Sequence, residues 1–148
     1  MGLYVGNKFV IRNSDIVVSG GSTTGIGTTE NIKITASDGA ASDKFGSSVA
    51  VGSGRIVVSA RYDDVNSNND QGSAYIFDLD GNQLAKITAS DGAHDDYFGS
   101  SVAIGSGRIV VGATYDDDNG SDSGSAYIWE IDETLSGYYD DIVDNYRY

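Results

Sequence analysis

Lys33 to Ala40 reads KITASDGA, and Lys86 to Ala93 reads KITASDGA again. Three further blocks recur in the same order: FGSSVA at Phe45–Ala50 and Phe98–Ala103, GSGRIVV at Gly52–Val58 and Gly105–Val111, and GSAYI at Gly72–Ile76 and Gly124–Ile128. The offset is 53 residues through most of the repeat and 52 after the acidic loop, because Tyr62–Gly72 is one residue longer than Tyr115–Gly124. A unit of this length is long for one turn of a solenoid and suits one blade of a β-propeller, a small sheet that cannot bury both faces alone. Two blades are too few to close a ring.

Strand and turn signals alternate within each unit. Val49–Val51 and Arg55–Ala60 are β-branched runs separated by Gly52, Ser53 and Gly54, a hairpin-length connection. Tyr75–Leu79 and Gln83–Thr88 flank Asp80-Gly81, a dipeptide suited to a tight turn with positive φ. The loops Tyr62–Gly72 and Tyr115–Gly124, dense in Asp, Asn, Ser and Gly, join the hairpins as solvated connections. Helical periodicity is absent, with only the tail after Glu133 ambiguous. The expected class is all-β, with two antiparallel blades of four strands each. Residues 1–30 form an arm and linker, 31–133 the blades and 134–148 an acidic, tyrosine-rich tail. Within the blade region, 31–44 are an orphan strand and loop, 45–90 the first blade and 98–133 the second.

The second repeat does not end as the first does. Where the first continues into Asp80-Gly81 and a strand ending in Lys86–Thr88, the second reads ETLSGYYDDIVDNYRY. The missing strand has a counterpart at the other end, since Asn31–Ser37 supplies a KITAS strand with no preceding blade. Donating that strand to an incomplete blade removes unpaired edges. Made between chains, the donation places Ile32 and Ile34 at a subunit interface beside Tyr127, Trp129 and Ile131. A head-to-tail contact that closes gives a homo-oligomeric ring, a trimer being favoured and a tetramer the alternative; one that does not close gives a fibre.

The blocks FGSSVA, GRIVVSAR or GRIVVGAT, and YDDDNGSDSGSAYIW resemble the FG-GAP repeats of integrin-type and bacterial β-propellers across Ile32–Glu130. Phe45-Gly46 and Phe98-Gly99 stand at the family's FG pair, and Ser59-Ala60 and Gly112-Ala113 at its GA pair; Arg61 and Thr114 replace its usual proline. The resemblance implies a propeller of about seven blades used in adhesion, ligand binding or surface display, or as an enzyme scaffold. Fold resemblance alone assigns no activity.

Composition narrows the partners. The 148 residues carry a net charge of −13, which disfavours nucleic acid and anionic membrane surfaces. No apolar stretch is long enough to span a bilayer, and Met1–Asp15 has none of signal-peptide length. There is no cysteine, hence no disulfide or thiolate metal site.

Calcium is the one cofactor to weigh, because hard cations need several oxygens from a short, glycine-permissive loop. Asp116, Asp118 and Asp122 with Asn119 and Gly120, and Asp63 in the first repeat, have that chemistry. The family's calcium loops read DxDxDG, and the spacing here departs from it. The competing reading is that these residues cap turns through hydrogen bonds to the backbone. Catalysis has little to build on: His94 is the single histidine, and Asp95-Asp96 share one turn.

Phe45, Phe98, Tyr75, Tyr127, Phe77 and Trp129 recur at equivalent positions and read as blade packing. Tyr138, Tyr139, Tyr146 and Tyr148 lie outside the repeat and read either as partner contacts or as a solvated terminus. In the arm, Tyr4-Val5, Phe9–Ile11 and Ile16–Val18 read as short strands that either dock to a larger assembly or cover a blade face at home. The opening MGLYVGNKFV is similar to the starts of phage tail and virion proteins. The expected function is therefore a non-enzymatic structural module at a virion or extracellular surface. The alternatives are a calcium-dependent or glycan-binding lectin, and an accessory domain to an enzyme.

Overall fold

The computed structural model describes residues 29–131 and two short strands near the start of the chain. Those strands, β1 (Leu3–Val5) and β2 (Lys8–Val10), form an antiparallel hairpin with Leu3 opposite Val10 and Val5 opposite Lys8. They coincide with the first two strands expected in the arm; Ile16–Val18 and the tail tyrosines Tyr138, Tyr139, Tyr146 and Tyr148 lie outside the described residues. The hairpin belongs to a unit spanning Met1–Asn31, and the repeats belong to a second, Ile32–Tyr148.

Each repeat folds as one antiparallel sheet. The first contains β3 (Phe45–Gly52), β4 (Arg55–Ala60), β5 (Ser73–Phe77) and β6 (Gln83–Ile87), hydrogen-bonded in chain order. The second contains β7 (Phe98–Gly105), β8 (Arg108–Ala113) and β9 (Ser125–Glu130), three strands among the described residues. The GSGR turns are tight because Ser53 and Gly54, and Ser106 and Gly107, all take positive φ, as a two-residue hairpin turn demands.

The leading strand of each sheet, β3 and β7, begins earlier than its β-branched run. Phe45 pairs Ala60 and Phe98 pairs Ala113, and each ladder then slips before resuming at Val49 and Ser101. Gly46 and Gly99, at φ 93° and 92°, make these bulges possible. The bulge swings the phenylalanine ring onto its own sheet. Phe45 lies edge-on to Tyr75 and Phe77, and Phe98 edge-on to Tyr127 and Trp129, with ring centroids 5.5–6.1 Å apart.

Two apolar clusters result. One lies between the sheets, where Val57, Ala74 and Ala89 meet Phe98, Ile109, Val111 and Ala113, with Ile87, Tyr127, Trp129 and Ile131 around them. The other lies on the first sheet's opposite face and contains Val58, Ala60, Tyr75 and Phe77, partly covered by Ile34 and Ala36. Thus Ile34 and Ala36 sit on the first blade as their repeat counterparts Ile87 and Ala89 sit against the second. Ser37 holds the segment there through hydrogen bonds exchanged with the Gln83 side chain. The expected KITAS strand at 31–37 has no ladder among the described residues: it pairs with no other strand.

Candidate functional site

The same polar cluster is built twice beneath the loops. The GSAYI strand points its tyrosine hydroxyl between two aspartates, one from the acidic loop and one from the SDGA turn. In the first blade Tyr75 Oη donates to Asp38 at 2.8 Å, with Asp63 Oδ2 at 3.2 Å. In the second, Tyr127 Oη lies 2.7 Å from Asp116 and 2.9 Å from Asp91. The aspartates come from two places because the SDGA turn crosses from the last strand of one blade to the first strand of the next.

The clusters differ in one component. Lys86 on β6, opposite Tyr75 in the ladder, sends Nζ to within 2.7 Å of both Asp38 and Asp63. No lysine reaches Asp91 and Asp116 among the described residues, because the second sheet has no fourth strand there to carry one.

The protonation energetics follow these contacts. Burial disfavours the Lys86 ammonium, but hydrogen bonds to Asp38 and Asp63 outweigh that and hold its pKa well above the ordinary lysine value. The Lys86 hydrogen bond holds Asp38 below the usual carboxylate range. Burial pushes the Tyr75 phenol up to about 12. Tyr127 is pushed up further still, by burial and then by the carboxylates of Asp116 and Asp91. The hydrogen bond from Tyr127 lowers Asp116. With its phenol held protonated, each tyrosine ties its strand to the acidic loop and to the SDGA turn.

This placement reassigns part of the acidic loop. Asp63 and Asp116 are buried carboxylates tied to tyrosines, in different blades. Asp116 also accepts from the backbone N–H of Asp118, and Asp117 from that of Asp122, as turn caps do. Asp118 and Asp122 are exposed. Among the described residues, no three acidic or imidazole side chains converge as a metal site. His94 Nδ1 accepts the Asn69 N–H at 2.9 Å, tying the loop between the blades to the acidic loop of the first.

The residues expected at a subunit interface divide. Tyr127, Trp129 and Ile131 pack against the cluster between the sheets, within the chain. The side chains of β9 turned the other way include Ala126 and Ile128, both exposed. Ile34 packs on the first blade, whereas Ile32 is half exposed near Gly81. Lys33, Asp38, Lys86 and Asp91 were missed as a set, although the KITASD block carries lysine and aspartate at the same separation in both repeats.

The sequence model described as "FG-GAP repeat" matches residues 28–77 and again residues 82–129. No curated protein matches the chain.

Proposed function

The chain belongs to the FG-GAP repeat family, and from that premise we propose that it is a non-enzymatic structural module whose blades join those of further copies in a multi-chain β-propeller. One comparison within the molecule carries this reading. Val102 and Ile104 of the second blade are packed against the cluster between the sheets, but their counterparts Val49 and Val51 on the first are 66% and 71% exposed. Phe98 is fully buried while Phe45 is only half-buried. The first blade's outer face is thus the counterpart of the second-blade face that the first blade covers within the chain, left without such a cover, and by repeat equivalence the far face of a neighbour's second blade, where Ala126 and Ile128 are exposed, would supply it.

Display on a virion or another extracellular surface is the setting we propose, supported by the likeness of MGLYVGNKFV to phage tail and virion protein starts. The mass of the protein in solution, measured with and without a chelator, tests the assembly. A trimer indifferent to chelator is expected; a monomer at micromolar concentration overturns the ring.

A second reading, a glycan-binding module, is favoured by one surface. Tyr62, Tyr97 and Tyr115 stand edge to face with centroids 5.2 Å apart, and the Arg61 guanidinium lies 4.7 Å from the Tyr62 ring centre. Such an aromatic surface suits the apolar faces of sugars. Glycan-array binding lost in Tyr97→Ala, with assembly intact, would establish it; an array with no binding rejects it.

A further inference from the structure

The second sheet ends at β9, whose outer edge pairs with no strand among the described residues. Open backbone edges recruit strands. In the first blade the same edge, on β5, is filled by β6 in a defined register: Ala74 opposite Ile87, Tyr75 opposite Lys86 and Ile76 opposite Ala85. The two KITASDGA blocks are identical, so the register transfers directly. It sets Lys33 opposite Tyr127, Ile34 opposite Ala126 and Ile32 opposite Ile128.

The charges agree with that register. In the first blade a lysine at this position bridges the two aspartates beside the tyrosine hydroxyl. In the second blade Asp91, Asp116 and Tyr127 keep the same arrangement with no cation beside them among the described residues. Lys33 itself is exposed, in a segment held on the first blade by Ile34, Ala36 and Ser37. The segment cannot leave that blade without uncovering the second apolar cluster. The strand that completes β9 is therefore best taken from another molecule.

Resting on the assembly reading above, we propose that β9 is completed by Ile32–Ile34 of a second copy, whose Lys33 bridges Asp91 and Asp116 as an intermolecular ion pair that fixes the register, while Ala36 and Ser37 stay on that copy's own first blade. The pairing brings two exposed side chains together, because Ile32 and Ile128, 52% and 63% exposed in the single chain, become cross-strand neighbours. A shift of one residue would turn Lys33 to the opposite face.

Two measurements on the full chain test this. Lys33→Glu is expected to weaken association by about tenfold or more, while Lys33→Arg stays within about threefold of the parent. The chain has no cysteine of its own. Mixing Ile32→Cys with Ile128→Cys chains should therefore give an intermolecular disulfide on mild oxidation, whereas mixing Ile34→Cys with Ile128→Cys, two residues out of register, should not. A multimeric parent whose association is unaffected by Lys33→Glu, or whose cross-linking ignores register, overturns the lysine bridge and leaves the assembly standing. A monomeric parent overturns both.

Discussion

At the scale of single residues, the carboxylates of the acidic loops fall into two kinds that composition cannot separate. Asp63 and Asp116 are buried and bonded to a tyrosine, whereas Asp118 is exposed and raised above the usual carboxylate range chiefly by the charge of Asp116. Asp118→Asn is therefore expected to change stability by less than about 0.5 kcal/mol. Lys86→Met strands the buried Asp63 beside Asp38. The pair is intermediate in exposure, so the cost should fall near 2 kcal/mol, between the ~0.5 of exposed pairs and the ~4 of buried ones, as read by urea unfolding. The signs of the pKa shifts set a pH window. Asp38 and Asp116 are held low, so their stabilisation is present above the unfolded carboxylate value, about 4, and is lost as pH falls through their folded values. Lys86 is held high, so its contribution is complete below about 10.4 and is lost as pH rises through its folded value. Asp96, raised by burial, opposes the acid loss, since protonating it relieves a penalty. Thermal melts should show a plateau between about pH 5 and pH 9 with losses on both sides, and Lys86→Met should shrink the alkaline loss.

At the scale of the elements, the two FG bulges place chemically identical glycines in different company. A side chain at Gly99 would stand 2.7 Å from Ser59 Cβ and 2.9 Å from the Ser73 carbonyl, on backbone at φ 92°. One at Gly46 would meet nothing within 4 Å, at nearly the same φ. Gly99→Ala should therefore cost well over the ~1 kcal/mol of positive φ alone, while Gly46→Ala in isolated chains should cost about that much. A Gly46→Ala penalty that grows with protein concentration would show a neighbouring chain arriving at that bulge. The strands themselves were readable from the chain, because β-branched runs bounded by Gly-Ser-Gly and Asp-Gly leave few alternatives, and seven repeat strands stand where those runs lie. The bulges and the early starts at Phe45 and Phe98 were not, since a slip in the ladder depends on backbone angles at one glycine. Asn31–Ser37 has strand composition without a ladder for a related reason. A strand is a property of a pair, and one sequence displays only one member. The tyrosine clusters were hidden likewise, because Asp38 and Tyr75 are 37 residues apart and meet only when the segment leading into the first blade folds back onto that blade's third strand.

At the scale of the whole molecule, the proposed assembly makes two surfaces of the repeat region complementary. Among the described residues, the first blade lacks cover on its outer face and the second lacks a strand at its outer edge. Deleting residues 1–37 removes the candidate donor and uncovers the second apolar cluster, so light scattering should report aggregation or loss of the oligomer. A truncated protein that remains well folded at the parent's size would sink the idea of donation. Chelator should leave the melting temperature within about 1 °C, since removing free ion destabilises only a fold that binds it and no three acidic or imidazole side chains converge among the described residues. The crossing SDGA turn carries a further consequence. Because the repeat's boundary in sequence falls inside a blade and not between blades, copying one 53-residue unit in tandem would insert a complete sheet and leave both outer surfaces as they were. Chains of two, three or four units would all present the same socket and the same plug. In the proposed assembly the circumference would then follow from how many units are stitched together, and an artificially lengthened chain that co-assembles with the original would show it.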